Sequence, residues 1–535
     1  MKKLFAILLC VGLMLSVVAC APATTNDPTT PPATEPEVTL RKIDLTDSIV
    51  GVDSQDSATQ TDYTKLTWYS VKTPDWGVNE QLFMVTDGDY TNGIGWGLDP
   101  HERADLYIDL TANTGAAVDV KQFKLYHSKD QDVPSVVFAL VLEDGTVVEN
   151  TATLDWKSGT DVDPFVFDYD KTYKAVGLYV WENQNTARAA FGEIELWQID
   201  DGTPAPTPVE TEYKLGMGIV VSTASSKTGL AQVDATVATV VTDKDGKIVA
   251  ARIDVAQNKF DLTADFATET AKTFETKMEL GDRYGMGPVG IDNDGNGVTL
   301  EWFEQAKAFE TYIVGKTGAE VAALELQEAG GHQIAVDQTL LDAGCSMQIT
   351  DFMTAVEKAC KDEQGVTFKT AKKFTLGVAA TTTAAESTAA TADAAAAIKM
   401  YTDFGATVVA GGKIIAALND AIQPTIAANA AGEIGEVTYN ATKRELKEEY
   451  GMAPAVNYGM DWNGDGKVLE WYLQSAEFSK YVVGKTAAEV EAIATKEVEG
   501  KGYIIAADEA LLTAGCTIQI TSIKTVVAQA AKNAR

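Results

Sequence analysis

Four stretches of the first 200 residues read as strands, 104–110, 122–126, 136–142 and 175–181, with apolar and polar residues alternating at period two over 104–110 and 122–126. That period sends successive side chains to opposite faces of a strand. Asp144-Gly145 is a tight-turn signal between two strands. Short strands with turns at this spacing predict an all-β sandwich over residues 39–200. Beyond residue 211 the pattern changes. Residues 235–242 and 248–253 flank Asp245-Gly246-Lys247, and 406–409 and 414–418 flank Gly411-Gly412-Lys413, which predicts two hairpins. Glu301-Trp302 and Glu470-Trp471 each open a stretch with helical period, ending at Val-Gly-Lys-Thr, 314–317 and 483–486. Thr317 and Thr486 read as N-caps of a following helix, with Glu320 and Glu489 as their capping-box partners. Residues 351–360 and 522–532 predict one more helix each.

These matches are pieces of one internal repeat. Ala343-Gly344-Cys345-Ser346-Met347-Gln348-Ile349-Thr350 reappears as Ala514-Gly515-Cys516-Thr517-Ile518-Gln519-Ile520-Thr521. Leu215-Gly216 matches Leu376-Gly377, and the ten residues from Lys277 to Met286 match those from Lys443 to Met452. The repeats are predicted over 212–372 and 373–535 as two α+β domains. A Pro/Thr-rich linker over 201–211 separates them from the sandwich. The fold class is therefore multidomain, an all-β sandwich followed by two α+β repeats. Val-Gly-Lys-Thr is not a phosphate-binding loop, because it lacks the upstream glycine and follows a helix instead of a strand.

The N-terminus changes the picture of where the chain resides. Lys2 and Lys3 precede an apolar run over 4–18, too short for a comfortable membrane span. Val17-Val18-Ala19-Cys20 resembles a bacterial lipobox, so residues 1–19 are expected to be a lipoprotein signal peptide. Cys20 is then the lipidation site and membrane anchor. Residues 20–38 are a Pro/Thr-rich tether. The expected location is the extracellular face of the cell membrane. The formal charge is −34, and loss of Lys2 and Lys3 makes it −36. A surface of that sign repels nucleic acid and anionic lipid. Cys345 and Cys516 lie at equivalent positions of separate repeats and Cys360 stands alone, which predicts free thiols in place of a disulfide framework. His101, His127 and His332 have no zinc-ligand spacing and form no nucleophile triad, so no enzyme activity is expected.

Thr86-Asp87-Gly88-Asp89-Tyr90-Thr91, then Trp96, then 104–110, then the closing Phe191-Gly192-Glu193-Ile194-Glu195-Leu196-Trp197 resemble the discoidin, or coagulation-factor type C, family. The resemblance implies a jelly-roll sandwich that binds glycans or lipid head groups at its loop tips. It also implies a structural calcium ion near Asp87, Asp89, Thr91 and Glu193. Trp68, Tyr69, Trp76, Tyr90 and Trp96 are candidates for stacking on sugar, or else rim packing.

The repeat hairpins, the Lys-Arg-Glu-Leu-Lys-Glu-Glu-Tyr-Gly-Met string, Glu-Trp-Tyr and Val-Gly-Lys-Thr resemble tandem-repeat surface lipoproteins of Gram-positive bacteria with FMN-binding domains. That family receives FMN as a phosphoester on the last hydroxyl of a Ser/Thr-Gly-Ala-Ser/Thr segment. The resemblance implies Ser346 and Thr517 as acceptors, with a flavin transferase and a membrane electron donor as partners. The chain departs from the pattern, since the first hydroxyl residue is Ala in both copies and Cys replaces Ala. The leading expectation is a flavin-carrying protein of extracellular electron transfer. The alternative is a glycan-binding adhesin or scaffold whose repeats carry no flavin. A second paired feature is Asp292-Asn293-Asp294-Gly295-Asn296-Gly297 against Asp461-Trp462-Asn463-Gly464-Asp465-Gly466. Oxygens at alternate positions suit calcium, so Asp292, Asp294, Asn296, Asp461, Asn463 and Asp465 are candidate ligands. Position twelve is Phe303 or Tyr472, unlike an EF-hand, and a solvated turn is the other reading.

Overall fold

The computed structural model describes residues 38–45, 49–53, 85–86, 94–97, 105–111, 116–129, 132–181, 188–202, 210–289, 295, 297, 299–438, 441–452, 469–500 and 502–535. Residues 1–39 form one unit, of which Val38 and Thr39 are described, and 40–535 form the other. Among the described residues no helix is long and apolar enough to cross a membrane. Cys20 and its lipobox lie outside the described residues.

The predicted strands of the first domain are present as Asp105–Asp109, Val118–His127, Val133–Leu142 and Phe165–Trp181. The longest, Phe165–Trp181, belongs to two layers. Its first half pairs with Val118–His127, and its second half lies between Asp105–Asp109 and Val133–Leu142. Phe123 from one layer stacks on Phe138 of the other, ring centroids 4.4 Å apart. Leu106, Ile108, Leu125, Leu140, Leu178 and Leu196 fill the space around them. Val118–His127 thus has one dry face and one wetter face, whereas Val133–Leu142 is buried on both, its other face packing Val137, Ala139 and Val141 against Tyr179. The closing strand Arg188–Ile199 pairs with Leu40–Lys42, so the domain's two ends meet.

In the first repeat the strands Thr211–Ser222, Leu230–Asp243 and Ile248–Asp261 form a sheet completed by Val366–Thr370. In the second, Thr375–Thr383, Tyr401–Ala410 and Lys413–Ile422 form its counterpart. Each sheet buries both faces. One face meets the repeat's own helices, Trp302–Tyr312 and Thr350–Lys361 or Trp471–Tyr481 and Thr521–Lys532. The other faces join in a single apolar core, in which Leu215, Val233 and Phe260 sit with Leu376, Phe404 and Ile422. This explains why these strands read as nearly continuous apolar runs. The Leu-Gly motif has a packing cause. A Cβ at Gly216 or Gly377 would overlap the Ala359 or Ala530 carbonyl of the long helix lying on the sheet. Both predicted capping boxes form, Thr317 with Glu320 and Thr486 with Glu489.

Candidate functional site

Asp337 and Asp508 cap the short helices Gln338–Asp342 and Glu509–Thr513. Each helix ends at a glycine with positive φ, 89° at Gly344 and 98° at Gly515. That turn drives Cys345 and Cys516 into the core, where burial pushes both thiols up to about 12. Cys345, Cys360 and Cys516 are free thiols. The next residue is held from its backbone. Ser346 N–H donates to Gln305 Oε1 at 3.0 Å, and Thr517 N–H donates to Gln474 Oε1 at 2.7 Å. The same amides donate through Nε2 to the carbonyls of Leu300 at 3.0 Å and Leu469 at 2.7 Å. Glu301 and Glu470, at the openings of those helices, accept the N–H of Met286 at 2.9 Å and of Met452 at 2.8 Å.

In each repeat, then, one fully buried glutamine ties the Gly-Cys turn to a stem of the acidic loop. The Gly-Cys turn is thereby joined to Leu300 and Leu469, the residues that precede the two predicted helices. Gln305 and Gln474 escaped the sequence reading, although a matched polar residue on the inner face of both predicted helices was a usable signal. A flavin acceptor needs a hydroxyl open to phosphate and to the transferase. Ser346 is 2% exposed and Thr517 1%, and the backbone N–H of each is already given to a glutamine. These residues do not fit an attached FMN.

Of the predicted cation ligands, Asp87, Asp89, Thr91, Asp292, Asp294, Asn296, Asp461, Asn463 and Asp465 lie outside the described residues. So do Trp68, Tyr69, Trp76 and Tyr90 of the sugar candidates. Glu193 is buried on the closing strand, and Lys42 Nζ lies 3.8 Å from it and 2.9 Å from Glu195. Among the described residues no three His, Cys, Asp or Glu side chains cluster as a metal site.

Further buried charge surrounds the segments Thr276–Tyr284 and Thr442–Tyr450. Asp254 and Asp420 accept the N–H groups of Met278 at 3.1 Å and Arg444 at 3.0 Å. Burial pushes Asp254, Asp403 and Asp420 up to about 6. Lys443 is buried among the rings of Tyr401, Tyr450 and Trp471, 4.7 to 4.9 Å from their centroids, and donates to the Tyr401 hydroxyl at 2.7 Å. Desolvation lowers its ammonium to about 8.

Next to Lys443 a cleft of about 350 Å³ separates the repeats. One wall is the end of Thr350–Lys361 with Asp362, and the other is Thr442 to Lys447. Arg444 Nη2 lies 3.1 and 3.0 Å from the two Asp362 oxygens, with both side chains less than a tenth exposed. Lys358 Nζ donates to Glu445 at 2.7 Å and to the Ile219 carbonyl at 2.8 Å. Lys447 also lines the cleft, with φ 48° and ψ −120°. Its counterpart in the first repeat, Gly281, has φ 49° and ψ −129°. Only glycine enters that region freely, so a lysine there costs about 1–3 kcal/mol. Its ion pair with Glu363, at 3.4 Å and 84% exposed on the glutamate side, contributes about 0–1 kcal/mol and does not offset the strain.

No family model matches the chain, and no curated protein does. Solved structures similar to part of it include the family 32 carbohydrate-binding module of Clostridium perfringens NanJ in complex with galactose. Identity is 10%, over 30% of this chain and 100% of that one, with a TM-score of 0.22. An F5/8 type C domain from Bacteroides fragilis is 13% identical over 30% of this chain and 97% of its own, with a TM-score of 0.21. A variant lectin-binding domain of lectinolysin complexed with Lewis b is 14% identical over 30% of this chain and 99% of its own, with a TM-score of 0.22. Identity and TM-score are low in each case, so none of them assigns an activity.

Proposed function

We propose that this chain is a surface-anchored, glycan-binding lipoprotein, with recognition in the first domain and the paired repeats as its rigid body. The observation that carries this reading over the flavin-carrying one is the burial of Ser346 and Thr517 beneath their glutamine clamps. An electron carrier of the expected type needs those hydroxyls as attachment points. A binding protein needs only that the repeats be stiff, and a core shared by two sheets makes them so. The first domain supports recognition through its sandwich and through the ordered motifs from Thr86 to Trp197 that resemble discoidin domains. Attachment through Cys20 and the tether over 20–38 would hold that domain away from the membrane.

The test has two arms on the full chain. Titration against a glycan array, starting with galactose and Lewis b, is expected to give saturable binding that survives Ser346→Ala/Thr517→Ala. Intact-mass spectrometry after co-expression with a flavin transferase is expected to show no added FMN. A flavinylated chain without glycan affinity would reverse the proposal.

A further inference from the structure

The cleft between the repeats holds a strained lysine that packing does not account for. Lys447 and Gly281 share one backbone conformation, so this position suits glycine, and the pair with Glu363 is too weak to explain the side chain. The duplication supplies an internal comparison. Where this cleft has Lys358, Arg444 and Lys447, the corresponding positions of the other repeat are Gln529, Met278 and Gly281. Only Lys361 has a basic counterpart, Lys532. Three of the four basic residues lining this cleft are thus not shared by the other repeat, in a chain with 43 Lys and Arg against 77 Asp and Glu.

We propose that this cleft is a binding site for a compact, multiply charged oxyanion of the phosphate or sulfate type, held by the ammonium groups of Lys358, Lys361 and Lys447. Arg444 is committed to Asp362 and forms the floor. Besides the Ile219 carbonyl, which Lys358 also holds, the partners of the three lysines are Glu445, Glu357 and Glu363, whose side chains are all about a third exposed or more. They can turn into water when an anion takes their place, because exposed pairs of this kind are weak. Asp362 and Asp420 cannot, since each accepts backbone N–H groups within the chain. The net charge of −34 repels long polyanions and leaves small ones as the ligands. This site lies on the repeats and is independent of glycan binding by the first domain.

The experiment titrates the full chain at low ionic strength with inorganic pyrophosphate, sulfate and glycerol phosphate, by calorimetry and by amide chemical shifts. Saturable binding is expected, with shifts at Gly218, Ile219 and Gln364. Lys447→Gly removes one charge-assisted contact and should weaken binding roughly tenfold, while melting no lower than the wild type. Lys361→Ala should also weaken it. Binding of pyrophosphate and sulfate alike indicates general oxyanion recognition, and binding of the phosphates alone indicates a phosphate site. No saturable binding by any probe, unchanged affinity in Lys447→Gly, or shifts scattered over lysines outside the cleft would overturn the proposal.

Discussion

Gln305 and Gln474 show how much one buried side chain can organise. Each satisfies an N–H of the Gly-Cys turn and a carbonyl at the loop stem. Gln474→Leu keeps the volume but leaves the Thr517 N–H and the Leu469 carbonyl without this partner. The expected loss is about 1–3 kcal/mol for each group, read from urea unfolding, and an unchanged midpoint would show the clamp to be dispensable. The buried acids make a second prediction. Asp254, Asp403 and Asp420 sit at about 6 in the folded protein, above the ~3.9 of an unfolded aspartate. The folded state therefore keeps protons that the unfolded state releases. The stability contributed by these groups is fully present below pH ~4 and is lost as pH rises through about 6. The wild type should melt at a higher temperature at pH 5 than at pH 7. Asp420→Asn should reduce that difference, and an equal difference in both proteins would refute the assignment. The raised acids were not legible in the sequence. A sequence shows that an aspartate exists, whereas its desolvation depends on what covers it.

At the scale of elements, two glycine positions make opposite predictions. Gly→Ala at a tolerant site stabilises by about 0.4–1 kcal/mol through the unfolded chain. Gly377→Ala should instead destabilise by about 1–3 kcal/mol, because its Cβ would meet the Ala530 carbonyl. Lys447→Gly should stabilise by roughly 1 kcal/mol, since it relieves the strained φ and gives up only a surface pair. Chemical denaturation of both variants checks the signs. The elements themselves were well marked in the chain. The helices predicted over 351–360 and 522–532 are Thr350–Lys361 and Thr521–Lys532. The hairpin turning at Asp245-Gly246 joins Leu230–Asp243 to Ile248–Asp261. These signals are local, since a cap, a turn glycine and a period act within a few residues.

For the whole molecule, the shared core is the decisive feature. Residues 373–535 alone would expose Leu376, Phe404, Val408 and Ile422, which now pack against the first repeat. That fragment should self-associate or fail to fold, and a monomer with cooperative unfolding in light scattering and melting would contradict the shared core. The sequence by itself determined the order of the parts, a β-sandwich followed by a duplicated α+β unit, written in local periodicity and in direct matches between the two copies. Repeat symmetry also predicted that Cys345 and Cys516 do not meet, and both are free thiols. Only the tertiary structure decided that the repeats bury their sheets against each other, that a glutamine joins the turn to the loop stem, and that Ser346 and Thr517 face inward. It alone placed Lys358 and Lys447, 89 residues apart in the chain, across one cleft. The reason is physical. Periodicity tells which face of an element is apolar, but not which surface will cover it, and burial, desolvation and strain all follow from that cover.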